Sequence, residues 1–549
     1  MEKTIKKEKT KAIAAPSSLH LKLSSPGMSA MHRAGLGGLA ATLTAYDRLR
    51  GARQRGFKDP RWHKEFSWKI TPTEITLDFG KPELAEAFFE WLFTFAFQIR
   101  DDMIYLPGQY DEAQGRIPTL ETRARLQQGI TLTFLQHGQT RKLGDERNGS
   151  YEVGEKKIDF SYKKCSSYMH QSAWKEWCKN GKLVLKDYDV QGPVNPGAVV
   201  RHNAFAGPTK VSQPLELVLP LQFALIGTIS LPVNRAVGVL VIPYIDDLVE
   251  FAESRSSLTP TNVIGTYVAS AGDAVLQFEV KRRGLKISTM AESSGCDVLL
   301  FRPMPWSTQQ KSRSDILSVC GLDEATVRFY DLILALLPPR IGQKVTEKKN
   351  GRGKNAETVK IVDNFWADSV VRPFVADNLV RGNFWFAGFA RFMNSTDPGS
   401  GKPLREKINF EREGLNKMVT NENVDWKLEG ANSFVLAVQD ALRCQYGQVS
   451  EDKNVTDAGR KKRLEGEYDK WRLLFSNAKT IEQFRFALSD FFSRAKQVPT
   501  LKDHWKDIIR LTQDDWQLAR DLALLGLASY KKKEKESPTE SQDGEKQDN

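Results

Sequence analysis

The chain has 549 residues, 40% of them hydrophobic, with 80 Lys and Arg against 68 Asp and Glu and a formal net charge of +12 at pH 7. That length suggests roughly two to four domains, the apolar share excludes a wholly disordered chain, and the basic excess points to an anionic partner, nucleic acid first. Five scattered cysteines with no CxxC pair suit a reduced, cytoplasmic protein; Cys165, His170 and Cys178 read as ordinary thiols and a surface histidine rather than a zinc site.

Residues 1–18 read as a flexible basic tail without the apolar core of a signal peptide. Leu19, Leu21 and Leu23 alternate with His20 and Lys22, which predicts a half-buried strand. Residues 29–51 then read as a helix, although Gly35, Gly37 and Gly38 each cost about 1 kcal/mol relative to Ala. Such a run needs compensation, most simply a close approach by another backbone. Its GLGG spacing is not the GxGxxG of a dinucleotide site. His32 and Arg33 lie in the first turn, where an anion could dock. Residues 61–80 read as strands containing Ile75, Leu77 and Phe79. Pro82 opens an apolar helix, ELAEAFFEWLFTFAFQI, too short to span a bilayer. Residues 105–165 are expected to alternate short strands with polar turns, as at 130–135, and RKLGDERNGSYEVGEKK suits a hairpin or loop.

The stretch 191–205, QGPVNPGAVVRHNAF, is held by two prolines and two glycines and carries Asn195, Arg201, His202 and Asn203. These are side-chain types that read base edges or clamp phosphates; the competing reading is a loop that satisfies its own backbone. The uncharged run 217–234 contains Pro220, Gly227 and Pro232 and reads as buried strands broken by turns, not a membrane span. Further strands are expected at AVGVLVI, AVLQFEVK and DVLLFRP, with Lys281, Arg282 and Arg283 as a compact positive cluster ending one of them. A helix near 323–337 stops at Pro338 and Pro339. Residues 341–362 are a basic linker or loop and the best candidate domain boundary, with Lys344, Lys348, Lys349, Arg352 and Lys354 available to DNA.

From 363 to 530 the pattern is helical, and 531–549 reads as a disordered tail. Three hydroxyls precede polar partners by three residues, Thr480 with Gln483, Thr500 with Asp503 and Thr512 with Asp515, which predicts three capped helices. Pro499 is expected to separate the first of these from the second. Arg472, Lys479, Arg485, Arg494, Lys496, Lys502, Lys506 and Arg510 offer a basic outer face, the possible track of a phosphate backbone. Asp246 and Asp247 follow a strong strand in Tyr-Ile-Asp-Asp, like the turn of a polymerase palm. Phosphoryl transfer needs a third carboxylate and nucleotide-binding elements, whereas two aspartates opening a helix complement its dipole. No catalytic residue, metal ligand or cofactor is therefore expected; a polymerase-like Asp-Asp enzyme is the runner-up.

The fold class expected is α+β: a mixed, strand-rich N-terminal body over 19–340, followed by a C-terminal α-helical bundle. LHLKLSSPGMSAMHRAGLGGLAATL, PGAVVRHNAF and WRLLF…EQFRFALSDFFSRA…WQLARDLALLGLASY together resemble the large subunit of type I CRISPR Cascade surveillance complexes, in the MYXAN-like variant related to types I-A and I-B. The resemblance spans about 19–530. It implies a non-enzymatic subunit at the crRNA 5′ end that recognises the protospacer-adjacent motif on double-stranded target DNA and stabilises the R-loop. It also implies contacts with Cascade backbone and crRNA 5′-end subunits and recruitment of a helicase–nuclease or of transposition proteins, with no membrane partner. The bundle resembles Cascade small subunits, and Met393 and Met418 are placed for an internal start that would yield a separate one. Motif-reading residues vary between subtypes, so none is carried over. Some large subunits hold zinc, for which this sequence lacks cysteine pairs.

Overall fold

The computed structural model describes residues 15–52, 61–196, 211–233, 236–285, 295–303, 312–350, 357–397, 401–451, 456–495 and 497–531. The chain is α+β and divides into two compact units, 1–331 with 339–369, and 332–338 with 370–549. The boundary thus falls next to 369, and the described residues of the stretch expected as a linker lie in strands.

The first unit opens with strand β1 (Ser18–Lys22), helix α1 (Ala30–Ala52) and strands β2 (Ser67–Ile70) and β3 (Glu74–Asp78), which form an antiparallel sheet in the order β1-β3-β2. Leu19 and Leu21 face inward as the alternation requires, opposite Leu77 and Ile75. Helix α2 (Ala85–Ala96) buries Phe88, Trp91 and Phe93, and a short hairpin follows, β4 (Gln98–Arg100) with β5 (Met103–Tyr105). Next come helix α3 (Leu120–Leu132) and a long hairpin, β6 (Arg141–Val153) with β7 (Lys156–Tyr168). Two small pairs follow, β8 (Cys178–Lys179) with β9 (Lys182–Leu183) and β10 (Asp187–Asp189) with β11 (Ser212–Pro214). Helix α4 (Leu215–Gly227) leads into β12 (Ile229–Pro232) and β13 (Gly238–Pro243), then α5 (Leu248–Leu258) and α6 (Ala271–Gly284). Strands β14 (Gly295–Pro303) and β15 (Ser312–Cys320) complete an antiparallel sheet in the order β12-β13-β14-β15. Helix α7 (Glu324–Leu336) runs into the second unit, and a second long hairpin, β16 (Arg340–Asn350) with β17 (Glu357–Ala367), returns to the first.

The glycines of α1 are explained by α4. A Cβ on Gly35 would lie 1.9 Å from the Pro220 carbonyl oxygen, one on Gly38 2.3 Å from that of Phe223, and one on Gly227 1.7 Å from that of Ala34. The two backbones touch, so only glycine fits, and the packed contact offsets the helix-propensity cost. Gly37 instead makes room for the Ile245 and Phe251 side chains. Arg255, fully buried on α5, donates at 2.7 Å to the carbonyls of Ile226 and Thr228 and to Thr259 Oγ1. Its charge sits at the C-terminal end of α4, where orphan carbonyls and the helix dipole favour a cation.

Three segments differ from the reading by periodicity. Residues 120–132, 215–227 and 271–284 are helices, not strands. Helix α4 is buried on all sides and α6 on most, so neither carries an amphipathic period, and a short apolar run alone does not separate a buried helix from a buried strand. Pro220 sits inside α4. The 341–362 stretch, read as a loop, lies mostly within β16 and β17. The residues of 1–18 before 15 and those of 531–549 after 531 fall outside the described residues.

The second unit consists of α8 (Val371–Val380), α9 (Phe389–Asn394), α10 (Leu404–Phe410), α11 (Arg412–Thr420), α12 (Ala431–Glu451), α13 (Asp457–Asn477), α14 (Ile481–Ser493), α15 (Pro499–Asp514) and α16 (Trp516–Ser529). Its core gathers Phe434, Val438, Trp471, Phe475, Phe491 and Leu524. Buried polar groups staple it: Gln445 accepts from Trp471 Nε1 at 2.6 Å and donates to the Phe491 carbonyl at 2.8 Å. Of the three expected caps, one holds. Thr480 accepts from the Gln483 N–H, and Gln483 Oε1 takes the Lys479 N–H. Helix α15 instead starts at Pro499, whose fixed φ and missing N–H suit a first turn, so Thr500 is already inside it. Thr512 lies in the last turn of α15, bonded to the Ile508 carbonyl, and Asp515 caps α16.

Candidate functional site

The two long hairpins of the first unit are held by a small polar framework. Asp101 and Asp102, with φ of 54° and 61°, make the two-residue turn of β4–β5; positive φ at both positions matches the twist of a tight hairpin. Asp101 accepts from Arg123 on α3 at 2.7 Å, while Asp102 pairs with Lys164 at 2.9 Å and Arg147 at 3.4 Å. The Lys164 hydrogen bond holds the Asp102 carboxyl below its usual range. Gln127, buried on α3, accepts from the Ile104 N–H and donates to the Lys163 carbonyl. These bonds fix the base of β6–β7. The β16–β17 hairpin is tied to it by Trp366 Nε1 donating to the Tyr151 hydroxyl at 2.7 Å and Asn364 donating to the Lys157 carbonyl at 2.8 Å.

Between the hairpins, α3 and Tyr267 lies a cleft of about 1360 Å³. Tyr151, Phe160, Tyr162, Phe365 and Trp366 give it aromatic walls, and Gln128, Asn148, Ser150 and Ser161 add hydrogen-bonding groups. Each hairpin lays a phenylalanine across a glycine opposite: Phe160 over Gly149 and Phe365 over Gly342. The Arg125 guanidinium stacks 3.8 Å from the Tyr267 ring centre and donates to Thr266. Arg141 lines the cleft with its Nε and Nη1 buried and without acceptors among the described residues, and burial lowers its pKa. Cations and carboxylates are mixed here: Glu121, Glu146, Asp159 and Asp368 also line the walls.

The residues expected to meet DNA fall in both units, and some lie outside the described residues. Asn195 follows a short 3-10 turn, Gly192–Val194, with Pro193 inside it and Val194 fully buried; Asn195 itself is half-buried. Arg201, His202 and Asn203 lie outside the described residues, as do Arg352, Lys354 and Lys496. Lys344 is exposed on β16, across from Asp363; Lys348 and Lys349 follow on the same strand. The Lys281–Arg283 cluster is no open phosphate contact. It forms the last turn of helix α6, where Arg282 is buried against Glu279 at 2.7 Å and Arg283 reaches the same carboxylate at 3.8 Å. Burial, with Arg255 nearby, brings the Lys281 ammonium down to about 8. Glu279, one turn earlier, is the signal that local pairing would consume these charges.

On the second unit Arg472 is buried, 6% exposed, and donates to Asp469 at 3.0 Å, so it faces inward rather than along an outer track. Arg494 is exposed but forks onto Asp490 at 2.9 and 3.1 Å. Lys479 and Arg485 are exposed and take no ion pair among the described residues. Beside Arg485 stands Phe486, 76% exposed. Lys502, Lys506 and Arg510 are exposed on α15, with Arg510 on Glu429 and Asp507.

The other candidates resolve locally. Asp247 is the N-cap of α5 and accepts the Glu250 N–H at 2.9 Å. His32 is buried between Ser29 and Gln213, so it presents no first-turn anion site. His170 is fully buried among the rings of Phe97, Phe134 and Tyr168, and burial alone holds its pKa near 3; it is not a surface histidine. Among the described residues no three His, Cys, Asp or Glu side chains group as a metal site, and no helix is long and apolar enough to cross a membrane.

Residues 20–222 match the family described as DevT N-terminal domain, and residues 421–549 the DevT C-terminal domain. The chain is also 32% identical over 542 residues, 95% of its length and 90% of the relative's, to the CRISPR-associated protein Cas8a1/Csx13 of Myxococcus xanthus (strain DK1622).

Proposed function

Because this chain belongs to the CRISPR-associated Cas8a1/Csx13 family of large subunits, we propose that it is the non-catalytic DNA-reading subunit of a type I Cascade complex. In this reading it sits at the crRNA 5′ end, recognises the protospacer-adjacent motif on duplex DNA and stabilises the R-loop. It then helps to recruit a helicase–nuclease or transposition proteins.

The observation that carries motif reading is the start of the 191–205 loop. Pro193 within the 3-10 turn and the fully buried Val194 brace the backbone just before the half-exposed Asn195. A side chain held in advance loses less freedom on docking, and an amide both donates and accepts at base edges. Lys344, Lys479 and Arg485 are exposed without ion pairs among the described residues and are free for phosphates; phosphate contacts set affinity, not sequence preference.

Duplex binding by the assembled complex, measured across a motif library at two salt concentrations, tests the assignment. Asn195→Ala is expected to cost about 1–3 kcal/mol on the correct motif and to narrow the gap to wrong ones. Unchanged ranking of every motif would make the loop structural and place the reading residues elsewhere.

A further inference from the structure

Two-stranded hairpins are marginally stable in water unless something packs against them. Among the described residues β6–β7 and β16–β17 share no sheet with another strand; they lean on each other and on α3. The second leaves Phe365, which lines the cleft between the hairpins, 47% exposed, and leaves Val345 and Val362, outside that lining, 57% and 50% exposed. The cleft between the hairpins, at about 1360 Å³, exceeds the roughly 300–1,000 Å³ of a small-molecule pocket.

We infer that this cleft seats an extended polypeptide segment of a partner protein. The charge pattern selects that occupant. Glu121, Glu146, Asp159 and Asp368 line the walls beside Arg125, Arg141 and Lys163, so the lining itself offers a phosphodiester chain no positive excess. Arg125 is already engaged by Tyr267 and Thr266. A polypeptide matches what remains. Its apolar side chains fit the aromatic walls, and its carbonyls or a carboxylate supply the acceptor that the buried Arg141 Nε and Nη1 lack. The site goes beyond the DNA-reading role and stands whether or not that role is correct.

The test uses the full-length chain in the complex it assembles into, with the photo-crosslinker p-benzoylphenylalanine in place of Phe365. The same probe in place of Ile316, exposed on β15 and outside the cleft lining, serves as control. After irradiation, mass spectrometry is expected to map the crosslinks from position 365 to one contiguous stretch of another polypeptide. Ser161→Trp fills the cleft from an exposed position and is expected to cut that crosslink about tenfold, with the melting temperature and duplex binding unchanged. Crosslinks to guide RNA or DNA, to this chain's own residues, to a second copy, or at no more than the control level would overturn the inference. So would loss of duplex binding in Ser161→Trp with the protein crosslink intact. Failure of the DNA-reading proposal alone leaves the crosslink in place.

Discussion

Single charged residues in this protein divide by whether a neighbour consumes them. Asp247 is spent on the Glu250 N–H as a helix cap. Asp247→Ala should therefore lower stability by about 1 kcal/mol and leave target-DNA binding intact, as thermal melts and duplex titrations would read; magnesium-dependent turnover lost in this variant would revive the polymerase-like reading. Asp521 makes a pH-dependent case. Its carboxylate accepts the N–H groups of Gly388 and Ala390 at the start of α9, and burial raises its pKa to about 6 despite those bonds and Arg520. An unfolded aspartate titrates near about 4. Between the two values the folded form holds a proton that the unfolded form has released, so raising the pH through this window lowers stability. Asp521→Asn is expected to flatten the dependence of the melting temperature on pH between those limits. An unchanged slope would show that other groups set it.

At the level of elements, the crossing of α1 and α4 has no spare volume. Gly35→Ala would drive a Cβ to 1.9 Å from a backbone oxygen of α4. Neither helix can yield without disturbing what it packs on, so the expected loss is at the upper end of the roughly 1–3 kcal/mol of overpacking, read as a lower denaturation midpoint. Thr480→Ala removes the working cap of α14 and should cost about 1 kcal/mol, whereas Thr500→Ala removes no cap, since α15 begins at Pro499. Thr500 instead donates to the Asp440 carboxylate, so what Thr500→Ala costs reports that bond and not a cap.

Across the whole molecule, the net charge of +12 predicted an anionic partner, but part of the positive charge is paired internally. Arg282, Arg472 and Arg494 are each held by a carboxylate. Salt dependence should therefore follow the exposed cations that no carboxylate holds. Lys479→Ala with Arg485→Ala is expected to weaken all duplexes similarly and to reduce the slope of log K against log salt by up to about 2, near 0.9 per lost phosphate contact. A slope unchanged in that double variant would place the phosphate contacts on other residues. The helical unit also bears on the internal-start proposal. Met393 and Met418 are both fully buried in α9 and α11. Asn416 of α11 donates to the Ser529 carbonyl of α16. Fragments beginning at Met393 and at Met418 both lack Gly388 and Ala390 and so lose the Asp521 contact, but only the first keeps Asn416 and α10, so the start at Met393 should give the more stable product when both are expressed.

The sequence alone determined the α+β class, the family and the features whose physics is local. The alternation of Leu19 and Leu21, the cap at Thr480, the end of α7 before Pro338 and the need for a partner beneath Gly35 and Gly38 each depend on a few adjacent residues or on one steric fact. What depends on who meets whom stayed out of reach. The helices α3, α4 and α6 read as strands because burial on many sides erases the period that distinguishes the two. The hairpins at 141–168 and 340–367 come together only through long-range bonds such as Trp366 to Tyr151, so the cleft they frame has no sequence signature. Whether a cation is free was likewise decided in three dimensions. Arg472 and Arg485 look alike in sequence, yet packing buries the first and leaves the second in water, because a helix's orientation is set by the apolar face it must cover.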